Sequence, residues 1–318
     1  MIKKLKIMDW LVHGGHQYEF FKTGPNFHCT KLNGRPPEEG DFGRPVFSNP
    51  KINLSVGKEI NLSMGNYDII MVRAGLHPGR YNRFIRRRKT ISGIATIQTV
   101  GNHPDSSFPI PRWARCVVWN SKVCMEDNYK NLPGKYHFYI PHGFDPNEFR
   151  HKNIKKNGRV LTVSNVFRKR GKKLGFDEWR HVSGVLGNCD LVGHGDEALP
   201  ESVGTFPMPE LCEIYNEYSV FLNTTKKSAM PRSRGEALMC GMPVVTTNNY
   251  GINQYLKDGK DCFFADNQDD MVKKIKVLLK DKNLSLEIGS NARESAKKHF
   301  NIKTYISRWE EVFTKALK

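Results

Sequence analysis

The chain has 318 residues, with 50 Lys and Arg against 32 Asp and Glu, a formal charge of +18 and a pI near 9.6. That length is enough for two domains with cores of their own, and the charge calls for an anionic partner: nucleic acid, acidic lipid headgroups or phosphorylated small molecules. The seven cysteines form no CxxC and no even ladder, which argues against a disulfide framework, and Cys116, Cys189, Cys240 and Cys262 lie in or beside apolar runs, as buried thiols of a reducing compartment do.

In the opening MIKKLKIMDWLV, Asp9 interrupts an apolar run too short for a membrane span, and no cleavage-like segment follows. Residues 5–12 therefore read as a first parallel strand. Later stretches do not approach transmembrane length either, so the expected location is cytoplasmic, with peripheral contact at the inner membrane face. The strand ends at His13-Gly14-Gly15-His16, where the glycines permit a tight turn or the close approach of a ligand. A short helix, Gln17 to Lys22, and a second strand around Phe27-His28-Cys29 follow. Residues 33–60, rich in Gly, Pro, Asn and charge, read as a long loop with short strands. Tyr67 to Val72, Ile94 to Thr99 and Arg115 to Trp119 read as buried strands, the first ending in a segment with His77 that points at a possible cleft, the second, ending in one with His103, and the third feeding polar residues to one edge. Between them, RYNRFIRRRK (Arg80 to Lys89) has the pattern of an anchor to a phosphate-bearing surface, or of a solvated basic face. The polar run Arg150 to Asn157 reads as a linker.

The alternation then restarts. Val160 to Ser164 reads as a strand that feeds the basic loop Asn165 to Lys173, where helix-start amides and the fork of an arginine suit a diphosphate. Asp190 to Gly193 and Val220 to Asn223 read as strands, and Pro209 to Tyr218 as a helix. Ser228 to Thr247, SAMPRSRGEALMCGMPVVTT, gives loop, helix, tight turn and buried strand in succession. An open α/β sheet holds a ligand at the carboxyl ends of its strands in that order, and Glu236 is expected at or near the first turn of the helix, facing the crevice. After a strand at Asp261 to Ala265, Asp269-Asp270 reads as a helix cap. Apolar stripes at Met271, Ile275, Leu278 and Leu279, at Leu286, Ile288 and Ala292, and at Tyr305, Ile306, Trp309, Val312, Phe313 and Leu317 then mark amphipathic helices. Two successive parallel α/β units are the predicted fold. Neither half has GxGxxG between strand and helix, and there is no HExxH or apolar-flanked DxD, so neither a dinucleotide cofactor nor a metal is expected.

Four segments together resemble the retaining, sugar-nucleotide-dependent glycosyltransferases of family 4. Ile140-Pro141-His142-Gly143-Phe144-Asp145 through Phe149 resembles the N-G-V-D…F segment at the family's domain junction, and Ser164 to Gly171 its phosphate-clamping G-R…K-G loop. Gly204-Thr205-Phe206 with Pro209-Glu210-Leu211 and Tyr215 resembles the segment near the donor base. Gly235 to Leu238 and Gly241 to Val245 resemble the second half of the E-x7-E motif and its tail. The resemblance is strongest from residue 139 onward. It implies an α/β GT-B fold of two Rossmann-like domains facing across a cleft. Residues 1–138 would form the acceptor side and residues 139–299 the nucleotide-sugar domain, with a helix of about 300–318 packing back on the first.

The implied reaction moves a sugar from an NDP-sugar co-substrate, without cofactor or metal, to an acceptor hydroxyl with retention. Glu236 falls where the family binds the ribose, Phe206 near the donor base, and Arg170 where a lysine binds the diphosphate. Asn165 replaces the family's usual arginine, with Arg168 and Lys169 close enough to supply that charge. Gly14 and Gly15 resemble the glycine-rich loop that approaches the donor phosphates. His103 resembles the histidine near the reacting sugar, with His77 and His13 as competitors. Ser228 replaces the first motif glutamate; a hydroxyl can bind a sugar hydroxyl but carries no charge. The implied acceptor is a membrane-associated lipid or surface glycan, the alternatives being hydroxymethylated DNA or a catalytically degenerate nucleotide-sugar-binding subunit.

Overall fold

The computed structural model describes residues 2–12, 14–31, 35–57, 67–73, 95–100, 114–129, 135–208, 210–228 and 230–318. The basic segment Arg80 to Lys89 and the candidate histidines His13, His77 and His103 lie outside these residues. Two compact units are present, Met1–Gly143 with Ile302–Lys318, and Phe144–Asn301.

Unit 1 carries seven parallel strands among the described residues: β1 (Lys6–Leu11), β2 (Asn26–Lys31), β3 (Leu54–Val56), β4 (Ile69–Arg73), β5 (Ala95–Val100), β6 (Cys116–Trp119) and β7 (Tyr136–Tyr139). Their order is β3-β2-β1-β4-β5-β6-β7, and α1 (Gly14–Phe21), α2 (Glu39–Phe42) and α3 (Lys122–Tyr129) lie between them in sequence. Strands covered on both faces read as continuous apolar runs, which makes Asp9, fully buried in β1, an exception. Its charge is met by Arg73 on the neighbouring β4, at 2.6 Å and 2.9 Å from the two carboxylate oxygens, and by the Gln17 amide at 2.9 Å. Gln17 also accepts from the Val12 amide at 2.8 Å, so the same side chain closes the turn from β1 into α1.

Unit 2 holds β8 (Val160–Val163), β9 (Cys189–Val192), β10 (Ser202–Gly204), β11 (Val220–Asn223), β12 (Val244–Thr246) and β13 (Phe263–Phe264), parallel and in the order β10-β9-β8-β11-β12-β13. This is the 3-2-1-4-5-6 arrangement of a doubly wound nucleotide-binding sheet. Its helices are α4 (Phe167–Arg170), α5 (Phe176–Leu186), α6 (Glu210–Glu217), α7 (Arg232–Met239), α8 (Gln268–Lys280) and α9 (Lys282–His299). The two-residue period of the strands sorts their side chains between two cores. Leu161, Val192, Phe221 and Val244 join residues of α6, α7 and α9, whereas Val160, Leu191, Val220 and Val245 join residues of α5 and α8.

Three expectations are corrected. The polar run Arg150 to Asn157 is no free linker: Lys152 pairs with Glu213 at 2.5 Å, its amide donates to Asn216 at 2.6 Å, and the Asn157 amide donates to the Glu217 carbonyl at 2.9 Å. Its charges answer partners about sixty residues away along α6. Leu286 and Leu317 are exposed and lie outside the apolar stripes assigned to them. The start of α8 is capped by Asn267, whose side chain accepts from the amides of Asp269 and Asp270 at 3.0 Å; the two aspartates occupy the first turn instead.

The C-terminal helix, Ile302–Leu317, buries Trp309, Val312, Phe313 and Ala316 in the core of unit 1. Its Trp309 ring meets Phe20 of α1 edge-on at 4.6 Å. Phe313→Ala should therefore cost about 3–5 kcal/mol, read as a lowered thermal midpoint with far-UV circular dichroism of the folded protein unchanged.

Candidate active site

In unit 2 the strand order reverses between β8 and β11, which pair Val160 with Val220 and Leu161 with Phe221. Loops leaving such neighbours turn to opposite sides and open a crevice at the carboxyl edge. Here the two loops are also joined. The Lys226 and Lys227 amides donate to the Lys173 carbonyl at 3.1 Å and 2.9 Å, and the Thr224 hydroxyl donates to the Leu174 carbonyl at 2.8 Å. Gly175, with φ +73°, is required at this seam, because a Cβ would overlap the Thr224 carbonyl.

The loop after β8 is held from β9. Gly193 admits the Ser164 carbonyl where a Cβ would clash, and the Val166 amide donates to the His194 carbonyl at 2.7 Å. Val166 takes φ 53° there, a left-handed conformation uncommon for a β-branched residue. Two expected ligand groups are already engaged. The Asn165 side-chain oxygen accepts from the His194 amide at 3.1 Å, so Asn165 braces the loop. The Asp196 carboxylate accepts from the amides of Phe167 and Arg168, the latter at 3.1 Å, and fills the start of α4, which had been expected to face a diphosphate. Arg168, Lys169, Arg170, Lys172 and Lys173 are exposed. Among the described residues none of these five forms an ion pair, in contrast to Lys152, Arg159, Arg180 and Lys226 of the same unit.

After β11 the chain forms a loop containing Ser228, which is buried, and then α7. Glu236 opens the second turn of α7, next to the first turn near which the sequence places it, and is 3% exposed. The Tyr215 hydroxyl of α6 donates to one carboxylate oxygen at 3.0 Å, and Arg232 lies 3.2 Å from the other. Arg232 also lies over the Phe144 ring at 4.9 Å. That ring covers Gly235, where a Cβ would overlap it. Pro231, which precedes α7, makes no side-chain cap bond of its own. Phe206, after β10, packs half-buried against the cluster that contains Tyr215 and Met239.

In unit 1, Gly14 and Gly15 are the first residues of α1, and a Cβ on Gly14 would meet the Phe42 backbone at 2.5 Å. The close approach permitted by Gly14 is thus to α2 of the same unit. His16 and His142 follow β1 and β7, and their rings meet edge-to-face with centroids 4.0 Å apart. Neither was singled out by sequence, although each sits in a strand-end motif, HGGH and PHG; only the folded sheet puts them together. Among the described residues no group of three or more His, Cys, Asp or Glu is placed to hold a metal ion, and no helix is long and apolar enough to cross a membrane.

A family model described as glycosyl transferase-like matches residues 169–312. Among curated proteins, none matches by sequence. Among solved structures, a glycosyltransferase from Rickettsia africae ESF-5 is similar over 99% of both chains, with a TM-score of 0.71 and 14% identity. Sucrose-phosphate synthase from Thermosynechococcus elongatus is similar over 98% of this chain and 99% of its own, with a TM-score of 0.73 and 12% identity. Anabaena HepE, solved in complex with UDP-glucose, gives the same coverage, a TM-score of 0.71 and 15% identity. The parallel-sheet fold is that of GT-B-type glycosyltransferases.

The packing of Phe144 on Gly235 has a measurable consequence. Gly235→Ala should destabilise by about 1–3 kcal/mol, the usual cost of overpacking, and Phe144→Leu in the same chain should recover part of it. A double-mutant cycle of thermal unfolding measures this coupling.

Proposed function

We propose that the chain is a retaining glycosyltransferase that moves a sugar from a nucleoside-diphosphate sugar to a hydroxyl of a surface glycan or lipid. The observation that carries the reading is the buried Glu236, held by Tyr215 and Arg232 beside the reversal point of a 3-2-1-4-5-6 sheet. An ionised carboxylate fixed in this way suits the two hydroxyls of a ribose, and HepE, of similar fold, is solved with UDP-glucose. Unit 2 is then the donor domain, and unit 1, with its C-terminal helix, the acceptor domain.

In this scheme Glu236 orients the nucleoside. Arg170, with Arg168 or Lys169, meets the diphosphate and offsets the charge that develops on it as the sugar departs. Ser228, in the loop before α7, offers a hydroxyl to the donor sugar. Phe206 supplies an apolar edge for the base. Gly14, Gly15 and His103 are the residues that the family resemblance assigns to the donor phosphates and to the reacting sugar. A second reading, transfer to hydroxymethylated DNA, is favoured by the five unpaired cations from Arg168 to Lys173, more charge than a diphosphate requires.

The test is a transfer screen of UDP-, GDP- and ADP-sugars against lipid, oligosaccharide and hydroxymethylated DNA acceptors, reading released nucleoside diphosphate. Release stimulated by one acceptor is expected, with a loss of about 100-fold in Arg170→Ala or Glu236→Gln. Nucleotide binding without release from any donor would instead mark a binding subunit.

A further inference from the structure

Arg234 lies on α7 and is 1% exposed. Burying a guanidinium is costly unless its donors are met. Burial draws its pKa down to about 10, which still leaves it charged at neutral pH. One terminal nitrogen donates to the Thr246 hydroxyl at the end of β12 and to the side-chain oxygen of Asn249, each at 3.2 Å. Asn249 turns its amide nitrogen the other way, donating to the carbonyl oxygens of Thr225 at 2.8 Å and Ser228 at 3.2 Å. The Thr246 hydroxyl donates to the Asn223 side-chain oxygen or to the Thr247 carbonyl, each at 3.4 Å, and the Thr247 hydroxyl donates to the Thr225 carbonyl at 2.5 Å. A continuous run of bonds therefore leads from the interior of α7, across the carboxyl end of β12, to the loop between β11 and α7.

The directions of these bonds matter. An amide can present its oxygen or its nitrogen to a given neighbour, and a buried cation accepts only the oxygen. Arg234 thus fixes the orientation of Asn249, and that orientation points both amide hydrogens at the loop carbonyls. With the carbonyls of Thr225 and Ser228 anchored, the backbone that carries the Ser228 side chain is held against the sheet edge.

We infer that Arg234 and Asn249 are positioning residues that set the Thr225–Ser228 loop for the donor sugar. This inference rests on the donor-site reading above and adds two residues that the E-x7-E resemblance does not assign. A 1 Å displacement of a group that contacts the reacting portion of a substrate costs about 100-fold in rate. The pair would accordingly control turnover without touching the donor.

The test uses the full chain with Asn249→Ala, Asn249→Asp and Arg234→Lys. Asn249 is half-buried, so its variants are the folding-safe arm if Arg234→Lys fails to fold. Hydrogen exchange of the 223–230 segment should rise about tenfold in Asn249→Ala. It should rise similarly in Asn249→Asp, which keeps the acceptor for Arg234 but loses the donors to the loop. Arg234→Lys, which retains the charge and one donor, should retain part of the protection. With the donor found by the screen, kcat/KM should fall about 10- to 100-fold in Asn249→Ala, while inhibition by the free nucleoside diphosphate stays within about twofold. Unchanged exchange in Asn249→Ala overturns the inference whatever the activity. Raised exchange with unchanged donor kinetics also overturns it, showing a structural brace only. Absence of turnover in the parent chain, with the exchange result as expected, leaves the brace in place and removes both the donor-site reading and the positioning role built on it.

Discussion

Parallel strands can share one sheet only if each crossover returns the chain to the same end, which collects every strand-to-helix loop of unit 2 on a single edge. That edge is crowded, and the crowding is relieved at particular glycines. Gly193 lets the loops after β8 and β9 cross, Gly175 lets the loops after β8 and β11 meet, and Gly235 makes room for Phe144 against α7. A side chain at any of the three would push apart segments whose bonds to one another hold the polar groups of the site. The chemistry of the edge therefore depends on backbone proximity before it depends on any charged residue.

Three buried ionic groups draw polar partners from more than one element of the fold. Asp9 is met by Arg73 from the next strand and by Gln17 from the following helix. Glu236 is met by Arg232 from its own helix and by Tyr215 from α6. Arg234 is met by neutral oxygens on β12 and in the loop beyond it. Such groups tie elements together by direction as well as by energy, because a guanidinium or a carboxylate accepts only one arrangement of its neighbours.

The buried strands were legible in the sequence where they are short apolar runs with turn formers after them, as Val220 to Asn223, which matches its element residue for residue, whereas β10 (Ser202–Gly204), not an apolar run, was not. The C-terminal helix was legible because Trp309, Val312 and Phe313 recur at helical spacing. The run Arg150 to Asn157 misled because its composition is that of a solvated segment, while its partners Glu213 and Asn216 lie about sixty residues away. The same distance effect hid the capture of the α4 amides by Asp196, 28 and 29 positions from its donors. Glu236 and its helix could be singled out, but not Tyr215 as the partner of its carboxylate, since nothing local joins α6 to α7. Sequence pattern marks which face of an element is buried; it does not say which polar groups will find each other once the faces close.

None of the seven cysteines is in a disulfide and all are buried, Cys29, Cys116 and Cys124 in unit 1 and Cys189, Cys212, Cys240 and Cys262 in unit 2. A thiol shielded in this way meets an alkylating reagent only when its surroundings open. The chain thus carries its own set of unfolding reporters, three in one unit and four in the other. Pulsed labelling followed by peptide mass spectrometry would give the opening rate of each unit separately, with no probe engineered into the protein.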